Sequence, residues 1–175
     1  MEKWDPAKRL SFIAEKVKQQ NEAQARRVVD AWQGIAFMCH TQSFIVSLKH
    51  IVEIIAAPVV TSIPGAKPWF LGVTNLRGDL LPIVDLQYLL FCSKTPLEKY
   101  TPVLVIQHDG ELSGILVNKV MALYSLANKT PLSFSLLPVS VFAPYIEEVV
   151  QPESEYFPVL DTDKLINDPI FSNIS

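Results

Sequence analysis

The sequence predicts a mainly β protein of many short strands, opened by one helix. Three observations predict it. Ile35, Phe37, Phe44, Val46 and Leu48 alternate with smaller or polar residues, which is period two. Turn signals such as Pro64-Gly65 and Asp109-Gly110 recur at short intervals. Residues 6 to about 30 lack glycine and any proline beyond the first, and they follow helical spacing instead. The 175 residues are enough for one domain, or for two small subdomains sharing a core.

The helix is expected first. Asp5 suits its N-cap and Pro6 its first helical position. Leu10, Ile13, Val17, Val28 and Ala31 form its apolar stripe, and Asn21 and Gln24 interrupt it. A helix lying on the following domain is preferred over a free partner-binding arm. A strand pair follows from Trp32, turning at His40–Ser43. Ile51 to Ile55 is a short apolar run that Pro58 stops, and Val59 to Ile63 is extended. Pro68 is expected to open a helical turn through Val73, with a tight loop from Asn75 to Asp79. Leu80 to Val84 is a strand and Asp85 to Leu90 a short helix.

The polar stretch Ser93–Tyr100 is a loop. Val103–Gln107 and Leu112–Val117 form a hairpin about Asp109-Gly110, and Met121–Leu126 is a further strand. Residues 127 to 144 are loop-like. Tyr145–Val150 and Tyr156–Leu160 make the last strand pair, and Asp161 caps a final helical turn. The tail after Asn167 is expected to be loosely held. A rhythm repeats loosely: Val84-Asp85-Leu86 leads into a helical turn, and so does Val159-Leu160-Asp161. Two related small barrels, or a sandwich, are the expected architecture.

Composition narrows function. Hydrophobic residues make up 49% and charged residues 19%, so a packed core is expected over most of the length. The net charge of −3 lacks the basic excess of a nucleic-acid binder. Cys39 and Cys92 are too few for a disulfide framework and lack metal-ligand spacing, so two reduced thiols are expected. No signal peptide follows Met1, and no apolar run approaches the roughly 20 residues of a membrane helix. The expected compartment is the cytoplasm.

Chemistry-bearing motifs are scarce. His40, His50 and His108 have no second ligand at a zinc-like spacing. Phosphate-binding glycine loops and nucleophile elbows are absent. Glu147 and Glu148 are adjacent on a strand and point to opposite faces, so they would not share a site. The expectation is a protein that is not an enzyme and takes no cofactor or metal. The alternatives are a ligand-binding or catalytic β-barrel and another kind of protein-interaction module.

The most specific stretch runs from Pro64 to Leu86. It holds a proline-glycine turn, then Phe70-Leu71-Gly72-Val73, Asn75-Leu76-Arg77-Gly78, and Pro82-Ile83-Val84-Asp85-Leu86. In order and spacing it resembles the signature of the CheW-like family, the coupling proteins of bacterial chemosensory systems. Ile51-Val52-Glu53-Ile54 is similar to the family's valine-glutamate-isoleucine segment, and Gly114–Val117 to its Gly-Ile-Leu-Val strand. The likeness spans roughly residues 32 to 166. The chain departs from the family at Asn118, where Asp is usual, and at Tyr145-Ile146-Glu147-Glu148, where Tyr-x-x-Gly is usual.

The resemblance implies two SH3-like five-stranded β-barrels over residues 32–166, after an N-terminal helical extension (1–31) and before a C-terminal tail (167–175). A helix ahead of such a domain is similar to the PilI-type adaptors of the pilus chemosensory pathway. The implied partners are a CheA-type histidine kinase and a methyl-accepting chemoreceptor, with no nucleic acid and no membrane insertion. The implied place is the cytoplasm, at membrane-associated receptor arrays. Family receptor contacts map onto Ile51, Glu53, Gly72, Asn75 and Arg77, and Gly78 and Asp85 are expected to shape the loop. Each residue also has a plainer role open to it. Arg77 could brace the loop against Asp79, Asp85 or backbone oxygens. Glu53 could be an ordinary surface carboxylate. Of Trp69 and Phe70, one is expected in the core and one on the surface.

Overall fold

The computed structural model describes residues 6–24, 31–126 and 142–172. The predicted cap at Asp5, the end of the first helix and most of the 127–144 loop lie outside the described residues. Among the described residues the chain forms helix α1 (Pro6–Gln24), strands β1 (Trp32–Cys39), β2 (Gln42–Ser47), β3 (Ile51–Ala56), β4 (Phe70–Leu76) and β5 (Asp79–Asp85), then helix α2 (Leu86–Phe91). Strands β6 (Pro102–His108), β7 (Glu111–Leu116), β8 (Lys119–Leu126), β9 (Ile146–Val150) and β10 (Phe157–Leu160) follow, then helices α3 (Thr162–Asn167) and α4 (Pro169–Ser172).

The strands make two five-stranded sheets, ordered β8-β1-β2-β10-β9 and β3-β6-β7-β5-β4. The two orders are the same design. A hairpin (β1–β2 or β6–β7) sits at the centre, and the second hairpin strand pairs in parallel with β10 or β5. That strand ends in an aspartate that caps a short helix. Asp85 accepts from the Tyr88 N–H and Asp161 from the Lys164 N–H, each three residues on. This is the rhythm seen in the sequence. The units are not consecutive halves, however: β1 and β2 join β8–β10, and the second sheet lies between them along the chain.

Alternation explains why so many strand residues are apolar. In β6, Val103 and Val105 face the interior of their own sheet with Leu81, Ile83 and Leu116. Leu104 and Ile106 face a core shared by both sheets. In β1 and β2, Ala36 and Ile45 line one interior, while Ile35, Phe37, Phe44 and Val46 enter the shared core. Strands covered on both faces lose the polar half of the period-two pattern. Helix α1 adds Ile13 and Val17 to the shared core and lies against β3 and β8.

Three expectations are corrected. Phe70–Val73 belong to β4, where Phe70 and Gly72 pair with Val84 and Ile83, so the helical turn expected there is absent. Gly72 has a φ of 136°, which no helix uses. The loop of Asn75–Asp79 shrinks to a two-residue turn at Arg77-Gly78. Trp69 and Phe70 are both buried, because α4 covers Trp69 with a stacked Phe171 at 6.0 Å. That contact also holds the tail as far as it is described, to residue 172, with help from a hydrogen bond donated by the Tyr145 hydroxyl to Asp168 Oδ2 at 3.0 Å. No described helix is long and apolar enough to cross a membrane.

Candidate functional site

The second sheet is curled so that its two edge strands approach. The β4–β5 turn comes over to β3, and Arg77 Nη2 donates to Glu53 Oε2 at 2.8 Å. The partner of Arg77 is therefore Glu53, not Asp79 or Asp85. The arginine side chain is 72% exposed, while the carboxylate is largely covered. An exposed pair of this kind contributes less than about 1 kcal/mol to stability. It fixes the fork of the guanidinium in place at a protruding tip.

The turn itself is unusual. Arg77 has φ 55° and Gly78 φ 102°, a pair of left-handed residues such as two-residue hairpins require. Glycine adopts this freely, whereas arginine there costs about 1 kcal/mol. Asn75 supports the turn: its Oδ1 accepts the Gly78 N–H at 3.0 Å. Gly72 serves another purpose. Its backbone lies against Thr61, and a Cβ there would overlap the Thr61 carbonyl oxygen. Thr61 and Val73 exchange two backbone hydrogen bonds, at 2.8 and 3.0 Å, so the 59–63 segment runs along the open edge of β4.

Of the five residues drawn from the resemblance, Glu53, Asn75 and Arg77 gather at one surface. Ile51 is buried in the shared core, and Gly72 lies beneath the 59–63 strip. Three apolar residues of the hairpin and of the strip beside it are exposed and were not singled out from sequence. Leu80 is 69% exposed directly after the turn, and Val59 (95%) and Ile63 are exposed on the strip beside β4. A signal for Leu80 existed: in the Leu80-Leu81 doublet on a strand, one side chain must face outward, and Leu81 is the buried one.

At the end of β5 far from the turn, Asp85 is buried and satisfied, so it braces α2 and Thr95 and not the loop it was expected to shape. Its Oδ1 accepts the Tyr88 N–H at 3.1 Å and the Thr95 hydroxyl at 2.7 Å, and its Oδ2 accepts the Thr95 N–H at 2.9 Å. It ties the end of β5, helix α2 and the start of the 93–101 segment together. Burial, with the nearby Asp85 charge adding to it, pushes the Cys39 thiol far above its ordinary range.

A second polar cluster joins the sheets at α3. His108 Nδ1 lies 2.8 Å from Asp163 Oδ1, and the Thr162 hydroxyl lies 2.7 Å from His50 Nδ1. Sequence spacing hides this meeting. Among the described residues no group of three or more His, Cys, Asp or Glu is placed to hold a metal ion.

Comparison with known proteins agrees with this geometry. The family model described as the CheW-like domain matches residues 33–169. The chain is 32% identical to Protein PilI of Pseudomonas aeruginosa over 130 residues, which covers 73% of this chain and 67% of the relative. It is 22% identical to the chemotaxis protein CheW of Treponema pallidum over 142 residues, covering 79% and 84%. Among solved structures, the scaffolding protein TtCheW of Thermoanaerobacter tengcongensis superposes with a TM-score of 0.64 at 17% identity, covering 77% of this chain and 86% of that one. The chain belongs to the family of CheW-like domains.

Proposed function

We propose that the chain is a non-enzymatic signalling adaptor that couples methyl-accepting chemoreceptors to a CheA-type histidine kinase in a bacterial chemosensory array. Family membership supports the adaptor role. The likeness to Protein PilI, together with a helix ahead of the domain, supports service in the type IV pilus pathway that drives twitching motility. Such an adaptor would work in the cytoplasm, recruited to membrane-associated arrays.

One observation carries the receptor contact. An arginine occupies a left-handed turn position that favours glycine, and it is held outward by Glu53 from the opposite edge of the sheet. Backbone strain kept at an exposed tip is a feature of binding and switching sites. Exposed Leu80, paired with Asn75 next to the turn, sets apolar surface beside that charged anchor, as at an interface centre. In this reading Glu53, Asn75 and Arg77 touch the receptor, while Ile51 and Gly72 set the shape beneath them. Size-exclusion chromatography tests the proposal, using the purified chain, the kinase regulatory domain and a receptor cytoplasmic fragment from the same genome. A ternary complex is expected. Absence of binding to either partner at tens of micromolar would sink the proposal.

A further inference from the structure

We infer that the cleft between α1 and the 96–102 segment binds a small organic anion carrying an apolar body. This goes beyond the adaptor reading and does not depend on it. The cleft has a volume of about 340 Å³, within the range in which proteins hold small molecules. Leu10, Pro96 and Val120 give it an apolar lining. Among the described residues that line it, Arg9, Lys99 and Lys119 are cationic and Glu98 is acidic. The chain as a whole carries −3, so this local positive excess runs against its average.

The polar groups are biased the same way. Asn118 Oδ1 accepts the His40 N–H at 2.7 Å, which orients the side-chain amide and leaves its NH2 as the end that donates. The Thr101 hydroxyl is already engaged by the Glu98 N–H and the Pro96 carbonyl. The Lys99 ammonium sits over the Tyr100 ring, 5.2 Å from its centroid, beside a half-exposed aromatic wall. Donors and positive charge above an apolar lining match a carboxylate, sulfonate or phosphate head on an alkyl or aryl body. They mismatch a cation, and they give a neutral alcohol only the apolar part. Arg9 and Leu10 come from α1, outside the residues matched by the family model. The site therefore belongs to the union of helix and domain, and a bound anion would clamp α1 to the domain.

Amide chemical shifts test this with three probes on the full chain: octanoate, octanol and octyltrimethylammonium, each at millimolar concentration. Octanoate is expected to shift Leu10, Lys99, Tyr100 and Lys119 saturably, and to weaken as ionic strength rises. Octanol should bind about three- to ten-fold more weakly at the same residues, the scale of charge attraction at a solvent-exposed rim, and the ammonium not at all. Lys99→Glu, at an exposed position, should weaken octanoate by about the same factor and leave octanol unchanged. The proposal is overturned if octanol matches octanoate, if no saturable shift occurs at these residues, or if Lys99→Glu changes nothing. Co-sedimentation with phosphatidylglycerol vesicles that shifts the same amides would replace the free small molecule by a membrane surface and equally overturn it.

Discussion

Asp85→Asn is the sharpest perturbation of the frame that carries the hairpin. Asp85 is 1% exposed and accepts three hydrogen bonds through its two oxygens. Asparagine keeps the size and remains a good N-cap for α2. Its amide has only one oxygen, however. In either orientation an NH2 group faces a backbone N–H, that of Tyr88 or of Thr95, which needs an acceptor. Losing a charge-assisted bond and leaving a buried donor unmatched together cost about 2–4 kcal/mol. For a chain of 175 residues each kcal/mol moves Tm by about 2–4 °C, so the expected drop is about 4–16 °C. Thr95→Val removes only the hydroxyl bond and should cost about 1 kcal/mol. Circular dichroism melts and urea titrations measure both variants, and the shared core predicts one cooperative transition. A melting point within about 2 °C of the parent for Asp85→Asn would refute the reasoning, as would a larger loss for Thr95→Val.

Three further outcomes are expected. Iodoacetamide at neutral pH should label exposed Cys92 and spare Cys39, which is buried with its thiol pushed far up; equal labelling rates in the native protein would contradict that burial. Gly72→Ala should cost at least about 2 kcal/mol, from a φ of 136° and overlap with Thr61, and should speed hydrogen exchange at the Thr61 and Val73 amides. Unchanged protection at those two amides would show that the strip does not depend on the glycine. At Asp161, burial works against the charge, but the Lys164 N–H, the Lys164 ammonium and the Asp163 N–H outweigh it and hold the carboxyl below its ordinary 3.8. A depressed carboxyl stabilises the fold above its unfolded value and loses that share as pH falls below it. Asp161→Asn should therefore flatten the acid limb of the stability curve below about pH 4, and an unaltered limb would count against the cap.

The sequence carried the β-rich fold because turn chemistry is local. Asp109 and Gly110 in one turn, and His40 in the other, take the left-handed angles of tight hairpins, and both hairpins stand where the alternation places them. The Asp161 cap was legible for the same reason, since a cap depends on residues three apart, whereas Asp85, read as the first helical residue, is the cap itself. What failed was non-local. Phe70–Val73 looks helical after Pro68, but pairing with β5 overrides that tendency. One of Trp69 and Phe70 was expected at the surface, but both are buried, Trp69 under Phe171, 102 positions later in the chain. The interleaving of the two sheets is a matter of topology and leaves no mark in residue spacing.

At the candidate site, motif resemblance singled out one segment, but how its residues are arranged needed three dimensions. Glu53 and Arg77 lie 24 residues apart, and only the curl of the sheet makes them partners. Ile51 and Arg77 come from the same resemblance, yet one is core and the other tip. Leu80, Val59 and Ile63 were ordinary apolar residues until their exposure beside the hairpin set them apart.

Calorimetric titration of the parent chain and of Arg77→Ala, against the receptor fragment and against the kinase regulatory domain, bears most directly on the coupling role. The parent should bind both. In Arg77→Ala, receptor affinity should fall about ten-fold or more, as for an arginine anchor. Kinase affinity should hold, and the melting transition should stay put, because an exposed ion pair contributes less than about 1 kcal/mol. Receptor affinity equal to that of the parent, in a variant with an intact fold, would contradict the assignment of Arg77 and its hairpin to the receptor contact.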